Sequence, residues 1–318
     1  MEMSSTAMGR IYEIARQAEA RLKGKQPEAP RQWFLPGLEE FRRAIPNHIA
    51  RSCLFAPIRR GKRVLHNKTT LASRSDVCIV YSGQQLDEAD RDVFLQLLFE
   101  ARGFPLGQRV YIERAKFLQS MGRQTGNNDY KWLHGAFGRL FTGSLFIESK
   151  RYRVGNDSKR VQDWMHLVDR VRLDEAKNSY YFEIDPRIST LFSNQEYALI
   201  DWERRLKLGN MAKWLQCLVA ASADPVQKYR VSDLKEWMAY TGRMYDFREK
   251  SLPAALDELK QLEIIAAPRI ENGSKGLLLA MWTKVPGHRD KIARPSGQVR
   301  TQPGQYRHLS GQDRAPWL

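Results

Sequence analysis

The sequence predicts an α+β fold, mainly helical, built as two tandem winged-helix domains with a flexible N-terminal arm and a disordered basic C-terminal tail. Three observations predict it. Apolar residues recur at helical spacing in segments that are followed by strand-like stretches, and the order helix, turn, helix, hairpin occurs twice. The helix-ending phrase "LQSMGRQTG" at Leu118 to Gly126 also has a near-echo, "LKEWMAYTG", at Leu234 to Gly242.

Residues 1–44 form the expected arm and linker: Ile11, Ile14, Ala18 and Leu22 share one helical face, and "GKQPEAPRQWFLPG" then interrupts with three prolines and two glycines. Residues 45–190 make the first domain, expected to carry dimerisation and auxiliary DNA contact. Its first helix is "DEADRDVFLQLLFEARG", with Asp87 or one of its neighbours as cap and Val93, Phe94, Leu97 and Leu98 inward. A second helix, "RAKFLQSMG", turns Phe117, Leu118 and Met121 inward, and a third, "YKWLHGAFGRLFTG", does so with Tyr130, Leu133, Phe137, Leu140 and Phe141. The stretch "SLFIESKRYRVGND" reads as the hairpin, and Tyr180 to Ile184 as a further strand.

Residues 191–285 make the second domain, expected to be the main DNA-binding one. Its helices are "NMAKWLQCLVAAS", "VSDLKEWMAYTG" and "SLPAALDELKQL", and its hairpin runs through "EIIAAPRIENGSKGLLLAMWTKV". Residues 286–318, rich in Pro, Gly, Gln and Arg, bury too little apolar surface to offset their ordering entropy and form the basic tail. Leu118, Met121, Thr125 and Gly126 match Leu234, Trp237, Thr241 and Gly242 at an offset of 116; Leu133, Phe137, Leu140 and Leu145 match Leu252, Leu256, Leu259 and Ile264 at 119. A three-residue insertion in the second turn is expected.

The 318 residues carry 52 Lys and Arg against 36 Asp and Glu, a formal charge of +16 that attracts polyanions, nucleic acid first. Cys53, Cys78 and Cys217 show no disulfide or zinc spacing and read as buried reduced thiols. No apolar run reaches the ~20 residues of a membrane span, so a cytoplasmic protein without membrane contact is expected.

A helix-turn-helix reads bases from the turn and first turn of its second helix, and a wing rides on the neighbouring backbone. In the second domain this selects Arg243, Arg248 and Lys250, with Ser251 capping a helix that Pro253 places near that residue, and Arg269 and Lys275 on the wing. The first domain offers Arg123, Asn127, Asn128 and Lys131 in its turn and Lys150, Arg151 and Arg153 on its hairpin. Gly135 and Gly138 weaken its third helix by ~1 kcal/mol each unless a close approach compensates, so a protein partner is an alternative there. A further basic cluster comprises Arg59, Arg60, Lys62, Arg63 and Lys68.

The stretches "AIPNHIARSCLFAPIRRGKR" (Ala44 to Arg63), "QQLDEADRDVFLQLL" (Gln84 to Leu98), "SNQEYALIDWERRL" (Ser193 to Leu206) and "LDELKQLEII" (Leu256 to Ile265) resemble the TrfA-type replication initiators of broad-host-range bacterial plasmids, over roughly Ile45 to Val285. The resemblance implies binding to repeated origin sequences (iterons), opening of the neighbouring A+T-rich duplex and recruitment of the host replicative helicase. It also implies a DNA-binding monomer in equilibrium with a homodimer joined through the first domain. Members carry a sliding-clamp-binding peptide of the form Gln-Leu-Ser-Leu-Phe; here Gln32-Trp33-Phe34-Leu35-Pro36 departs from it at three positions but keeps the character of a docking peptide.

Enzyme chemistry is not expected, and neither a cofactor nor a metal is implied. No G-x-x-x-x-G-K-[ST] loop occurs, the six histidines (48, 66, 134, 166, 288 and 308) lack metal spacing, and Tyr180 and Tyr181 read as strand residues. Opening a duplex without nucleotide hydrolysis requires tighter binding to bent or unpaired DNA. Single-stranded A+T-rich DNA is therefore an expected second ligand. The alternative reading is a winged-helix transcriptional regulator that binds an operator.

Overall fold

The computed structural model describes residue 35 and residues 39–58, 63–74, 77–149, 164–273 and 276–286. The expected arm helix and nearly all of the basic tail lie outside the described residues, as do Gln32, Trp33, Phe34, Arg59, Arg60, Lys62, Lys150, Arg151, Arg153 and Lys275. The fold is α+β. Five sheets containing fourteen strands make strand nearly as prominent as helix among the described residues, so the expected helical predominance is not found.

The first half opens with β1 (Arg42–Pro46), α1 (Asn47–Ala50), β2 (Phe55–Ala56), β3 (Leu65–Leu71), β4 (Val77–Gln84) and β5 (Leu86–Asp87), and leads into the long helix α2 (Glu88–Ala101). Asp87 caps α2 as expected: its carboxylate accepts the Asp90 N–H, and the Asp90 carboxylate accepts the Asp87 N–H. Asp90 is fully buried and is neutralised by Arg63 at 2.7 Å and Arg139 at 2.6 Å. Arg63, which the sequence groups with surface charges, is thus committed to the cap. Val93, Phe94, Leu97 and Leu98 enter the first hydrophobic core.

The chain continues through β6 (Val110–Glu113), α3 (Arg114–Ser120), α4 (Asn127–Thr142), β7 (Ser144–Ser149), β8 (Met165–His166), β9 (Arg170–Asp174) and β10 (Ser179–Glu183). Phe141, expected inward, is 43% exposed, because it lies one residue past the buried Leu140 and so a quarter-turn off the apolar stripe. The hairpin beside α3 and α4 is β9–β10, which joins β6 in the order β6-β10-β9. The segment expected to form it, from Ser144 onward, instead enters the sheet β3-β4-β7-β8, with Ser144 opposite Ser82 and Ser149 opposite Val77. Leu145, Phe146 and Ile147 are all buried there, as in a strand covered on both faces, which leaves no alternation to read. Leu35 is 5% exposed within the same core, so it is a packing residue and not part of an accessible docking peptide. Cys53 and Cys217 are buried, but Cys78 is exposed on β4, against the expectation for all three.

A 3₁₀ segment (Pro186–Gln195) leads to β11 (Tyr197–Asp201), α5 (Trp202–Leu206) and α6 (Asn210–Ala220). β11 pairs antiparallel with β1, and Ala198, Ile200 and Trp202 join the first core. Next come β12 (Val226–Arg230), α7 (Val231–Trp237), α8 (Met244–Asp246), a π-turn (Phe247–Ser251), α9 (Leu252–Gln261), β13 (Ile265–Asn272) and β14 (Leu278–Lys284). The three strands order as β12-β14-β13, the same arrangement as β6-β10-β9. Trp214, Leu215, Leu234, Phe247, Leu252, Leu256, Leu259 and Trp282 build a second core.

The repeat is real in topology, but its register differs from the sequence match. The strand-to-helix junctions at Arg114 and Val231, the left-handed residues Gly122 and Ala239 after the helices, and the N-caps Gly126 and Arg243 are all 117 residues apart. The helix ends Thr142 and Gln261 are 119 apart. The turns are therefore equally long, and the extra residues lie inside the second copy's helix, in the π-turn. Phe247 and Leu252, both fully buried, are five residues apart, and an α-helix of 3.6 residues per turn would splay them. The Leu252 N–H donates to the Phe247 carbonyl, the i to i−5 bond of a π-turn, which returns both side chains to one side. This wider turn also accommodates Pro253, whose ring would clash with the residue 249 carbonyl in a regular helix. Ser251 is consequently not a cap: its backbone is helical, and its hydroxyl shares a 3.1 Å hydrogen bond with that of Tyr240.

Between the halves lies a buried ionic cluster. Arg205, with no exposure, donates to Glu88 at 2.7 Å, Asp92 at 2.6 Å and the Lys213 carbonyl at 3.1 Å. Lys213 Nζ reaches Asp92 at 2.5 Å, and Arg91 lies 2.9 Å from Glu88. Burial opposes the charge on Arg205, but the Asp92 and Glu88 carboxylates hold its pKa above the usual arginine range.

Candidate nucleic-acid interface

The continuous helix from α8 through α9 presents its N-terminal half to solvent. Arg243 is its N-cap, and neither this helix nor α4 has a side-chain cap, so first-turn N–H groups remain for an anion to accept. Arg243 and Lys250 reach one carboxylate, Asp246, at 3.2 and 3.1 Å. The hydrogen bond from Lys250, with Arg243 beside it, holds the Asp246 carboxyl below its usual range. Arg248 pairs with Glu249, and its guanidinium lies 5.9 Å from the Tyr245 ring centroid. Arg243 and Lys250 are thus kept in place by half-buried Asp246 and Arg248 by exposed Glu249, surface pairs weak enough for a phosphate to displace.

Across from the helix, Arg269 on β13 pairs with Glu271 at 3.1 Å. A cleft of about 440 Å³ separates the two elements and is lined by Arg248, Glu249, Pro253, Asp257, Arg269 and Asn272. Arg248, within the π-turn, and Arg269, on β13, both line this cleft. The structure therefore assembles Arg243, Arg248, Lys250 and Arg269 around the N-terminal half of one helix, and it turns Ser251 away toward Tyr240. Met244 and Tyr245, 43% and 62% exposed, flank the same cations and were missed by sequence reasoning, which started the helix seven residues later.

In the first half, Asn127, Asn128 and Lys131 are exposed on the first turns of α4. Arg123 does not project with them: its guanidinium stacks 3.5 Å from the Trp132 ring centroid and lies 3.6 Å from Asp129. Gly138 has open space at its Cβ position, and Gly135 meets only the end of the Arg139 side chain at 3.3 Å. No packing within the described residues explains the two glycines. Lys68 is exposed in the β3 bulge, away from the Arg63 cap. The β9–β10 hairpin exposes Arg170, Arg172 and Lys177, which sequence reasoning missed; the signal that finds them is the strand "VYIE" ahead of α3, which fixes what the hairpin must pair with. Among the described residues, no group of three or more His, Cys, Asp or Glu could hold a metal ion, and no helix is long and apolar enough to cross a membrane.

Among solved structures, domains 2 and 3 of RctB are similar in fold, with 12% identity, 76% of this chain and 98% of that chain covered, and a TM-score of 0.50. The Pi initiator protein in complex with iteron DNA matches at 15% identity, over 69% of this chain and 98% of that chain, with a TM-score of 0.44. No curated protein sequence matches. The family described as TrfA protein matches residues 32–266. With most of its length matched, the chain belongs to the TrfA family of plasmid replication initiators.

Proposed function

We propose that the chain is a non-catalytic initiator that binds the repeated duplex sequences of a plasmid origin, opens the adjacent A+T-rich duplex and recruits the host replicative helicase. In this reading both halves are winged helices, and the second is the principal reader of bases. The observation that carries it is the open N-terminal half of the second recognition helix, where Arg243 and Lys250 meet at Asp246 and Arg248 lines a cleft shared with Arg269 of the wing. A helix of this kind enters the major groove while the wing follows the backbone. The first half contributes Asn127, Asn128 and Lys131 to the same duplex, and its glycine-bearing helix face serves a protein contact, the homodimer included.

The test is duplex binding as a function of salt. Substituting Arg248 and Lys250 by Ala lowers affinity for origin DNA and makes the slope of log K against log salt shallower by about two, one released counterion set per phosphate contact. Unchanged affinity and slope would show that the base-reading surface lies elsewhere. Protection of a tandem array in a footprint distinguishes an initiator from an operator-binding regulator, which would protect one or two half-sites.

A further inference from the structure

The three-stranded sheet of the first half has two faces. Val110, Ile112, Tyr180 and Phe182 point into the core. Strand alternation sends Tyr111, Tyr181, Arg170 and Arg172 to the other face. Among the described residues this face is open at Tyr111, which is 51% exposed, and at Arg109 and Arg170, whose side chains are 53% and 64% exposed, while Tyr181 between them is half-buried. Tyr111, Tyr181 and Arg172 form one cross-strand row, with Tyr181 opposite both others, and the two tyrosine rings lie 5.4 Å apart at 60°. In the next row Arg109 and Arg170 flank Glu183 at 3.7 and 3.6 Å, so a single carboxylate separates two arginines.

We propose that this face is a single-stranded DNA platform, on which Tyr111 and Tyr181 stack unpaired bases while Arg109, Arg170 and Arg172 hold the phosphates. Two features select this occupant. An exposed aromatic ring, backed by a second half-buried one and bordered by arginines, is what an unpaired strand requires, since every base offers a face to stack and every linkage a charge to neutralise. A duplex does not fit, because its base faces are already stacked on one another. The face also belongs to the hairpin that forms the first half's wing, so a strand released beside a bound duplex would meet it. The opposite end of the sheet is mixed in charge, with Glu113, Asp174 and Glu175 beside Lys177 and with Lys116 held by Glu113 at 2.7 Å, whereas the other end sets two arginines around one carboxylate.

The inference rests on the reading of the chain as an origin opener, and its test separates the two. The full-length protein is titrated into a fluorescein-labelled 20-nucleotide oligothymidylate and, separately, into origin duplex. The wild type binds both. Substituting Tyr111 and Tyr181 together by Ala lowers oligonucleotide affinity on the order of thirtyfold, the factor for two stacked bases at the lower end of the measured range. The Tyr111→Phe, Tyr181→Phe variant, which keeps both rings, retains it, and duplex affinity is unchanged in both. Oligonucleotide affinity within twofold of wild type in the Ala variant would overturn the platform and leave the face to a protein partner. Equal losses for oligonucleotide and duplex, or a wild type that binds duplex but not oligonucleotide, would also overturn it. A wild type that fails on origin duplex sinks the origin-binding reading instead.

Discussion

Replacing Arg205 by Ala removes the central cation of the cluster that joins the two halves. The side chain is fully buried and neutralises Glu88 and Asp92 together, so its loss leaves carboxylates in a site that water does not reach. Breaking a buried pair in this way costs about 3–5 kcal/mol. Lys213 remains on Asp92 and Arg91 on Glu88, which places the expected loss near the lower end of that range. At about 2–4 °C per kcal/mol for a protein of this size, the melting temperature falls by roughly 6–12 °C. The loss also depends on pH, with a sign fixed by Glu88. Burial pushes its carboxyl up against the pull of Arg91 and Arg205, and removing Arg205 lets it rise further. A carboxyl whose folded pKa exceeds its unfolded value binds more protons when folded, so stability falls as pH rises through that window. Calorimetric melts of the variant should therefore show a smaller deficit at pH 5 than at pH 8. A deficit below about 1 kcal/mol, or one equal at the two pH values, would refute a charged, structurally required cluster.

Other outcomes follow from the same structure. Deleting Glu249 and Lys250 shortens the helix to the first half's spacing and sets Phe247 and Leu252 three residues apart, so the variant stays folded but Arg248 turns away from the cleft it lines. Origin binding then falls further than in the Glu249→Ala, Lys250→Ala substitution, and equal binding by the two would show that the π-turn has no positioning role. Leu35→Ala lowers stability by about 2–5 kcal/mol in a denaturant titration if Leu35 is a core residue; an unchanged midpoint would return it to the docking peptide. Arg139→Ala, which takes one of two cations from buried Asp90, costs about 1–3 kcal/mol, and a melt indistinguishable from wild type would place the whole burden on Arg63.

Amphipathic helices were legible because burial of one face leaves a 3.6-residue stripe, as Val93, Leu97, Leu133, Phe137, Leu256 and Leu259 show. The cap at Asp87 was legible because its chemistry is local. The sheet β3-β4-β7-β8 was not: β3 is largely exposed and polar, while β7 is buried on both faces, so neither alternates. The roles of the arginines divide in the same way. Arg243, Arg248 and Lys250 are singled out by their place beside a turn and lie on the N-terminal half of one helix, whereas Arg63, Arg123 and Arg139 carry the same charge in sequence but are spent on Asp90 and Trp132, partners 9 to 49 residues away.

By itself, the sequence determined that the chain is a basic α+β protein with a duplicated helix-turn-helix order and the stamp of a plasmid initiator family, because composition, periodicity and local motifs are properties of neighbouring residues. Only the tertiary structure decided where the helix from Met244 to Gln261 begins, which arginines remain exposed and how Arg205 joins the halves. Those outcomes depend on which residues meet across the fold. The opening pair of echoing phrases shows the difference: a 116-residue match in letters is a 117-residue match in space, since the buried contacts of Phe247 and Leu252 put the extra residues inside a helix where the sequence suggested a turn.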